Sequence, residues 1–292
     1  MHVAVVGAGA LGSVYGVRLA RRAEVTFVVR RASPRTITLV RATSREQHTP
    51  ALATSVPEHA DVVLLAVGTE DLDALDLGGS EAPLVILTPM LPAGWARIQA
   101  RFGDRAHAAL PSVISFQRDD GTIRYWLPPS PTKLDEPRGH RVVLEELAAA
   151  LGDVGLRTRF ELGVHESNPA TTVCFIPIAM ALAIAGSVDA LRADEALLSL
   201  VSHACSEGHR LSLHIGRPEL FARLAPMYAS PWALRGWLGL LRGDARRYAE
   251  THFGHKLAAQ HRSMIAEMIA LARAKQLPHA SLDAIRAALA ER

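Results

Sequence analysis

His2-Val-Ala-Val-Val6-Gly7-Ala-Gly-Ala-Leu-Gly12 is the stretch that decides how this chain is read. It opens with a short apolar run, as a strand buried on both faces of a parallel sheet requires. The run passes straight into G-x-G-x-x-G. Gly7 allows the tight turn, Gly9 lets a diphosphate come up to the backbone, and Gly12 lets the next helix pack against the strand. Apolar Leu11, Val14, Tyr15 and Leu19 recur about every 3.6 residues and predict a helix over Ala10 to Arg22. The unpaired amides of its first turn carry partial positive charge and suit an anion. A second strand, Glu24 to Val29, follows. Strand, glycine turn, helix and strand in this order supply the context that a dinucleotide fingerprint needs.

The end of the second strand selects the dinucleotide. An acidic residue there would accept from the ribose 2′-hydroxyl of NAD. This chain has Arg30 and Arg31, with Arg35 near. A guanidinium pairs bidentately with a 2′-phosphate, so NADP(H) is the expected cofactor, a solvated basic edge being the plain alternative. In open α/β sheets ligands sit beyond the C-terminal ends of the strands. The expected cofactor contacts are therefore Gly7, Ala8, Gly9, Ala10, Leu11, Gly12, Arg30 and Arg31, joined by Val67, Gly68, Thr88 and Pro89 after two later strands.

The 292 residues are enough for two ordinary domains, and 49% hydrophobic content supplies their cores. The net charge of +3 is carried by scattered arginines, so the high pI of about 9.1 does not point to nucleic acid. Cys174 and Cys205 are too few for a disulfide framework and read as buried thiols of a cytoplasmic protein. Met1 runs directly into the first strand, so no signal peptide is expected. Pro169 to Gly186 holds no charge. With Pro177 in its middle, it reads as a core helix kinked at that proline rather than as a membrane span.

Further strands are expected at Thr36–Val40, Ala51–Thr54, Val62–Val67, Leu84–Leu87, Ala106–Ala109, Ser112–Gln117, Thr122–Leu127, Thr132–Leu134 and Arg157–Phe160. Asp119-Asp120-Gly121 marks a hairpin, and polar Ser44 to His48 reads as a turn. Short helices are expected through Leu75 and to about Arg101, and an amphipathic one over Gly139–Leu151. From Val164 onward no strand is expected. Helices are expected at about Asn168–Gly186, Ala193–Ile215, Pro218–Tyr228, Pro231–Leu241, Arg246–Lys275 and Ser281–Leu289. The expected division is a Rossmann-type NADP-binding domain over 1–163 and an all-helical domain for substrate and dimerisation over 164–292.

The G-x-G-x-x-G half, the basic Arg30, and a helical half opening with an apolar, proline-bearing helix together resemble the ketopantoate reductase (2-dehydropantoate 2-reductase) family. The likeness extends to the Asp61–Thr69 strand, to Glu267–Leu271 and to Gln276-Leu-Pro278. It implies an all-α C-terminal domain of the 6-phosphogluconate dehydrogenase C-terminal-like type. It also implies reduction of a 2-keto acid by NADPH, with a lysine polarising the keto oxygen and asparagines and a glutamate holding the substrate. This chain departs at those positions. No lysine lies between Leu134 and His255, and the lysine position falls at Asn168 or Pro169. Ile176 and Thr172 stand where the family has asparagines, Thr88-Pro89 replaces an asparagine-glycine, and Gly68 replaces a phosphate-binding lysine. The late glutamate is Gln260. Loss of such a donor removes a few kcal/mol (~3) of alkoxide stabilisation, so ketopantoate itself is not the expected substrate.

His165 and Glu166 precede the apolar helix, at the mouth of the implied cleft. A histidine gives or takes a proton near neutrality, and a carboxylate fixes its tautomer. A polar linker capped by Ser167 or Asn168 is the bland alternative. His252 and His255 share a helix face at i, i+3, with His261, Gln260 and Glu267 on the same helix. Imidazole pairs at such spacing occur in metal sites, but no third ligand is forced, and no metal is expected. The expected catalytic set is His165, Glu166 and His255, and the expected substrate contacts are Asn168, Thr172 and Gln260. Trp232 and Trp237 read as core or dimer surface. The expected function is an NADPH-dependent oxidoreductase acting on a small carbonyl or imine as a cytoplasmic homodimer, with no nucleic-acid or membrane partner. A non-redox enzyme (isomerase, cyclase or lyase) and an NADP(H)-binding protein without chemistry are the alternatives on the same scaffold.

Overall fold

The computed structural model describes residues 1–31, 33, 35–73, 75–251 and 258–291. Two compact units divide the chain. Unit 1 comprises Met1–Pro89 with Gly94–His165, and unit 2 comprises Met90–Ala93 with Glu166–Arg292.

Unit 1 runs β1 (His2–Val6), α1 (Ala10–Leu19), β2 (Glu24–Val28), β3 (Ile37–Arg41), β4 (Ser44–His48), β5 (Ala51–Ala53), β6 (Val62–Leu65), α2 (Thr69–Asp73) and β7 (Leu84–Ile86). It continues with α3 (Pro92–Phe102, which begins in unit 2), β8 (Ala106–Leu110), β9 (Ile114–Gln117), β10 (Ile123–Trp126), β11 (Thr132–Asp135), α4 (Arg141–Asp153) and β12 (Thr158–Glu161). Among the described residues the main sheet has eight strands in the order β12-β11-β8-β7-β6-β1-β2-β5. The strands from β8 to β5 are parallel, and β11 runs antiparallel to β8. Every residue of β1, β6 and β7 is buried, as strands covered on both faces demand.

A second sheet, β4-β3-β10-β9, changes two expectations. Ser44–His48 is a strand and not a turn. It pairs antiparallel with β3 from Ile37↔His48 to Arg41↔Ser44, and the turn falls at Ala42, whose φ is +49°. The stretch is polar because β4 is an edge strand and mostly exposed. The same sheet packs against α1, on the side away from β1 and β2. The periodicity of α1 predicts one buried face, yet Ala10, Gly12 to Val17 and Leu19 are all buried because both faces are covered.

Unit 2 is helical: α5 (Val164–Thr172, starting at the end of unit 1), α6 (Ile176–Ala185), α7 (Val188–Ala193), α8 (Glu195–Ile215), α9 (Leu220–Arg223), α10 (Ala225–Tyr228), α11 (Pro231–Leu240), α12 (Gly243–Tyr248), α13 (Ala258–Ala274) and α14 (Ala280–Ala290). The expected single kinked helix is two helices, broken at residues 173–175. There the Cys174 and Phe175 amides turn to the carbonyls of Thr171 (3.3 Å) and Thr172 (3.0 Å). Pro177 lies in the first turn of α6, where its missing N–H costs nothing, and Pro169 sits inside α5. Within Val164–Ala185 an 18-residue window has a mean hydropathy of 1.6, and 78% of that window is buried. It is a core segment: α6 packs against α7, α8, α13 and α14, with Met180, Leu198, Ile265, Met268 and Ile285 at the centre. Asp194 separates α7 from α8, accepting from the Leu197 amide (2.8 Å) as a helix cap. Both cysteines are buried free thiols, and burial pushes Cys174 up to about 11.

Candidate dinucleotide site

Four parallel neighbours, β7, β6, β1 and β2, end on the same edge of unit 1. The residues expected to hold a cofactor follow those ends. Gly7 to Gly12 leave β1, Arg30 and Arg31 follow β2, Val67 and Gly68 follow β6, and Thr88 and Pro89 follow β7. Beyond β2 the chain builds a hairpin and β5, then crosses back to β6 on the other side of β1, making a topological switch point there. The Thr88 hydroxyl donates to the Val67 carbonyl and ties two of these ends together.

The three glycines occupy different surroundings. Gly7 has φ +96°, and a Cβ on it would lie 2.6 Å from the Ala66 oxygen. A Cβ on Gly12 would lie 2.0 Å from the Gly7 oxygen, so helix and turn are in direct backbone contact. Around Gly9 nothing lies within 4 Å of that position. The turn is therefore closed on its protein side and open where a diphosphate approaches. Gly9 is the N-cap of α1; no side chain caps the helix, and its first turn has no acidic residue. Its first amides are left to an external anion, which fits a dinucleotide diphosphate.

Arg30 is 86% exposed and pairs with Asp71 of α2. Arg35 donates to the Ala8 carbonyl (3.3 Å), which brings a second guanidinium onto the glycine turn. The partners Asp71 and Ala8 carry no local signal, because β3 to β6 separate Asp71 in sequence from Arg30, and α1 and β2 separate Ala8 from Arg35.

Of the expected catalytic residues, His165 and Glu166 fall in different units. His165 Nδ1 bonds Asp135, not Glu166, and its ring stacks on Trp95 at 5.7 Å. Asp135 also accepts from the amides of Gly163 (3.0 Å) and Val164 (3.2 Å). Burial alone would raise its pKa; the hydrogen bond and charge of His165 and the two amides hold it below the ordinary carboxylate range. Because β11 runs against β8, this pair lies beside Asp104, Ala106 and His107 at the beginning of β8, away from the strand ends that carry the glycine turn. That placement favours a tie holding the end of β12 to β11 over a proton donor. His255 falls outside the described residues. Glu166 belongs to unit 2, beside Gly216.

In unit 2, Asn168 is buried and its side-chain oxygen accepts from the Thr172 hydroxyl (3.2 Å). Thr171 Oγ1 accepts from the Glu219 amide (2.9 Å). Gln260 and His261 are buried on α13, and Glu267 of that helix accepts from the Ala93 amide (2.9 Å).

Beside the Asp135 pair, His107 is buried with its Nε2 unpartnered among the described residues. Burial, and then the neighbouring His140, lower its pKa from 6.5 to about 4. The unfolded chain thus binds a proton that the folded chain refuses between these values, and this contribution to stability is lost as pH falls from about 6.5 to 4. Urea unfolding of His107→Gln should show a flatter acid limb in that window than the parent chain. Equal slopes would remove His107 as the cause.

Residues 3–76 match the family model described as ketopantoate reductase PanE/ApbA. Along its full length the chain is similar to a PanE/ApbA family ketopantoate reductase from Ralstonia eutropha, at 17% identity and TM-score 0.74, covering 100% of this chain and 98% of that one. The chain folds as a ketopantoate reductase does. It is also similar to the dimeric ketopantoate reductase of Staphylococcus aureus (14% identity, TM-score 0.70, 100% and 98% covered). A D-mandelate dehydrogenase, in a ternary structure with NADH and anilino(oxo)acetate, superposes with TM-score 0.68 at 13% identity, over 100% of this chain and 97% of that one. No curated protein matches the sequence. The ketopantoate reductase fold thus spans the whole chain, while the family model is met only by the part that carries the glycine turn.

Proposed function

We propose that this protein is an NADP(H)-dependent oxidoreductase that reduces a small carbonyl or imine compound other than ketopantoate. The observation that carries the reading is the open, uncapped glycine turn flanked by Arg30 and Arg35. Bound NADPH supplies the hydride. The chain's own residues do the holding: the amides after Gly9 take the diphosphate, and Arg30 exchanges Asp71 for the 2′-phosphate. Asn168, Thr172 and Gln260 are the polar groups of unit 2 assigned to the substrate. Similarity to a mandelate dehydrogenase seen with NADH and a 2-oxo acid analogue supports a 2-keto acid as the first class to try. Absence of a lysine from Leu134 to His255 argues against ketopantoate. The exposed Leu220, Phe221, Met227 and Trp232 of unit 2 fit a homodimer built on that unit.

The test is NADPH oxidation by the purified full-length chain against a panel of 2-keto acids, ketones and imines. Turnover is expected with at least one member, and with ketopantoate at least about 100-fold slower, the usual effect of losing one preorganised donor. Silence across the panel despite NADPH binding would leave a binding protein. Conversion without NADPH consumption would leave a non-redox enzyme.

A further inference from the structure

Among the described residues, one group of three candidate metal ligands stands at the edge of the main sheet opposite the glycine turn: His2, Glu24 and His59. Strand pairing assembles it. His2 and Glu24 are register partners at the starts of β1 and β2, and His59 lies in the segment that reaches β6, held there by the Asp61 amide on the His2 carbonyl (2.9 Å). Their ligand atoms all lie within 4.8 Å of one another, and the two imidazole centroids are 4.7 Å apart.

His2 carries the decisive detail. It is a 6% exposed histidine in an otherwise apolar strand. Its Nε2 meets the Thr26 hydroxyl at 2.9 Å, while its Nδ1 is buried without a partner among the described residues. A metal-ligating histidine has this arrangement: one ring nitrogen fixed by an outer hydrogen bond, the other left with its lone pair. An orphaned buried nitrogen is otherwise a standing cost. We propose that His2 Nδ1, His59 and Glu24 bind a divalent transition-metal ion of the zinc class, with solvent in the fourth position. Two imidazoles and one carboxylate form a recognised zinc set, with bonds near 2.0–2.2 Å. Glu24 and His59 are exposed and free to close the last ångström or so onto the buried His2. The neighbouring cations are engaged elsewhere, Arg21 with Glu46 (2.8 Å) and Arg22 with Asp153 (3.7 Å), and Asp61 takes the His2 amide (2.6 Å). His2 is four residues before the end of β1, about 13 Å from the glycine turn, so the ion would brace the sheet and leave the cofactor edge alone.

Titration calorimetry of the tag-free full chain, stripped with EDTA and titrated with zinc chloride, tests this. The parent chain should take up one equivalent more than His59→Ala, and Glu24→Gln should weaken that equivalent at least about tenfold. Zinc at about 100 times its Kd should raise the parent's Tm by about 5 °C and leave His59→Ala unmoved. Cobalt in place of zinc should give a tetrahedral visible spectrum that His59→Ala loses. Equal zinc uptake and affinity in parent and His59→Ala would overturn the site, as would a parent Tm indifferent to zinc. Because both variants change exposed residues at the far edge, NADPH binding should persist in each.

Discussion

Arg30→Ala raises the KM for NADPH ten- to a hundredfold and leaves the KM for NADH where it was. A hydrogen bond to a charged group contributes about 1.5–3 kcal/mol, and each 1.4 kcal/mol is a factor of ten. The Asp71 pair does not consume that gain. Arg30 is 86% and Asp71 39% exposed, and an exposed ion pair holds a side chain by no more than about 1 kcal/mol. A phosphate offers the same guanidinium a stronger partner with matching fork geometry. Asp71→Asn should therefore improve NADPH binding slightly. Steady-state kinetics or calorimetry with both dinucleotides checks this, and a variant that loses NADH and NADPH equally would show that Arg30 does not read the 2′-phosphate.

Gly9→Ala and Gly12→Ala should fail in opposite ways. A methyl group on Gly9 meets no protein atom within 4 Å, so the variant should fold with an unchanged Tm. The same methyl occupies the opening through which the diphosphate reaches the α1 amides, and NADPH affinity should drop at least a hundredfold. Gly12→Ala places its methyl 2.0 Å from the Gly7 oxygen and 3.1 Å from the Ala66 side chain. Turn and helix must then separate, and the chain should lose several °C of Tm or fail to accumulate as soluble protein. Binding of NADPH by Gly9→Ala at parental affinity would show that no diphosphate lies over that turn.

What could be read from the sequence was local. The run into Gly7, the apolar Val62–Leu65 and the Asp119-Asp120-Gly121 hairpin each carry their geometry within a few residues. The second sheet was half hidden, because Ser44–His48 is polar and only its pairing with β3 makes it a strand. Pro177 suggested a kink, but a proline is tolerated in a helix's first turn, and the break fell just before it. No local signal marks Asp135, because its partner His165 is thirty residues away and comes beside it only through the parallel pairing of β11 with β12, where Asp135 lies opposite Glu161. The three-ligand cluster was equally invisible, since His2, Glu24 and His59 become neighbours only when the strand order is known.

Helix α1 is clamped between two sheets, with almost every residue out of contact with solvent. A helix held this way has its first-turn amides aimed before any ligand arrives. An incoming anion then meets a ready-made socket and loses little to ordering of the protein, so nucleotide capture should be fast and should leave the backbone of unit 1 unchanged. Amide hydrogen exchange would register this as protection along α1 that is already complete in the free chain.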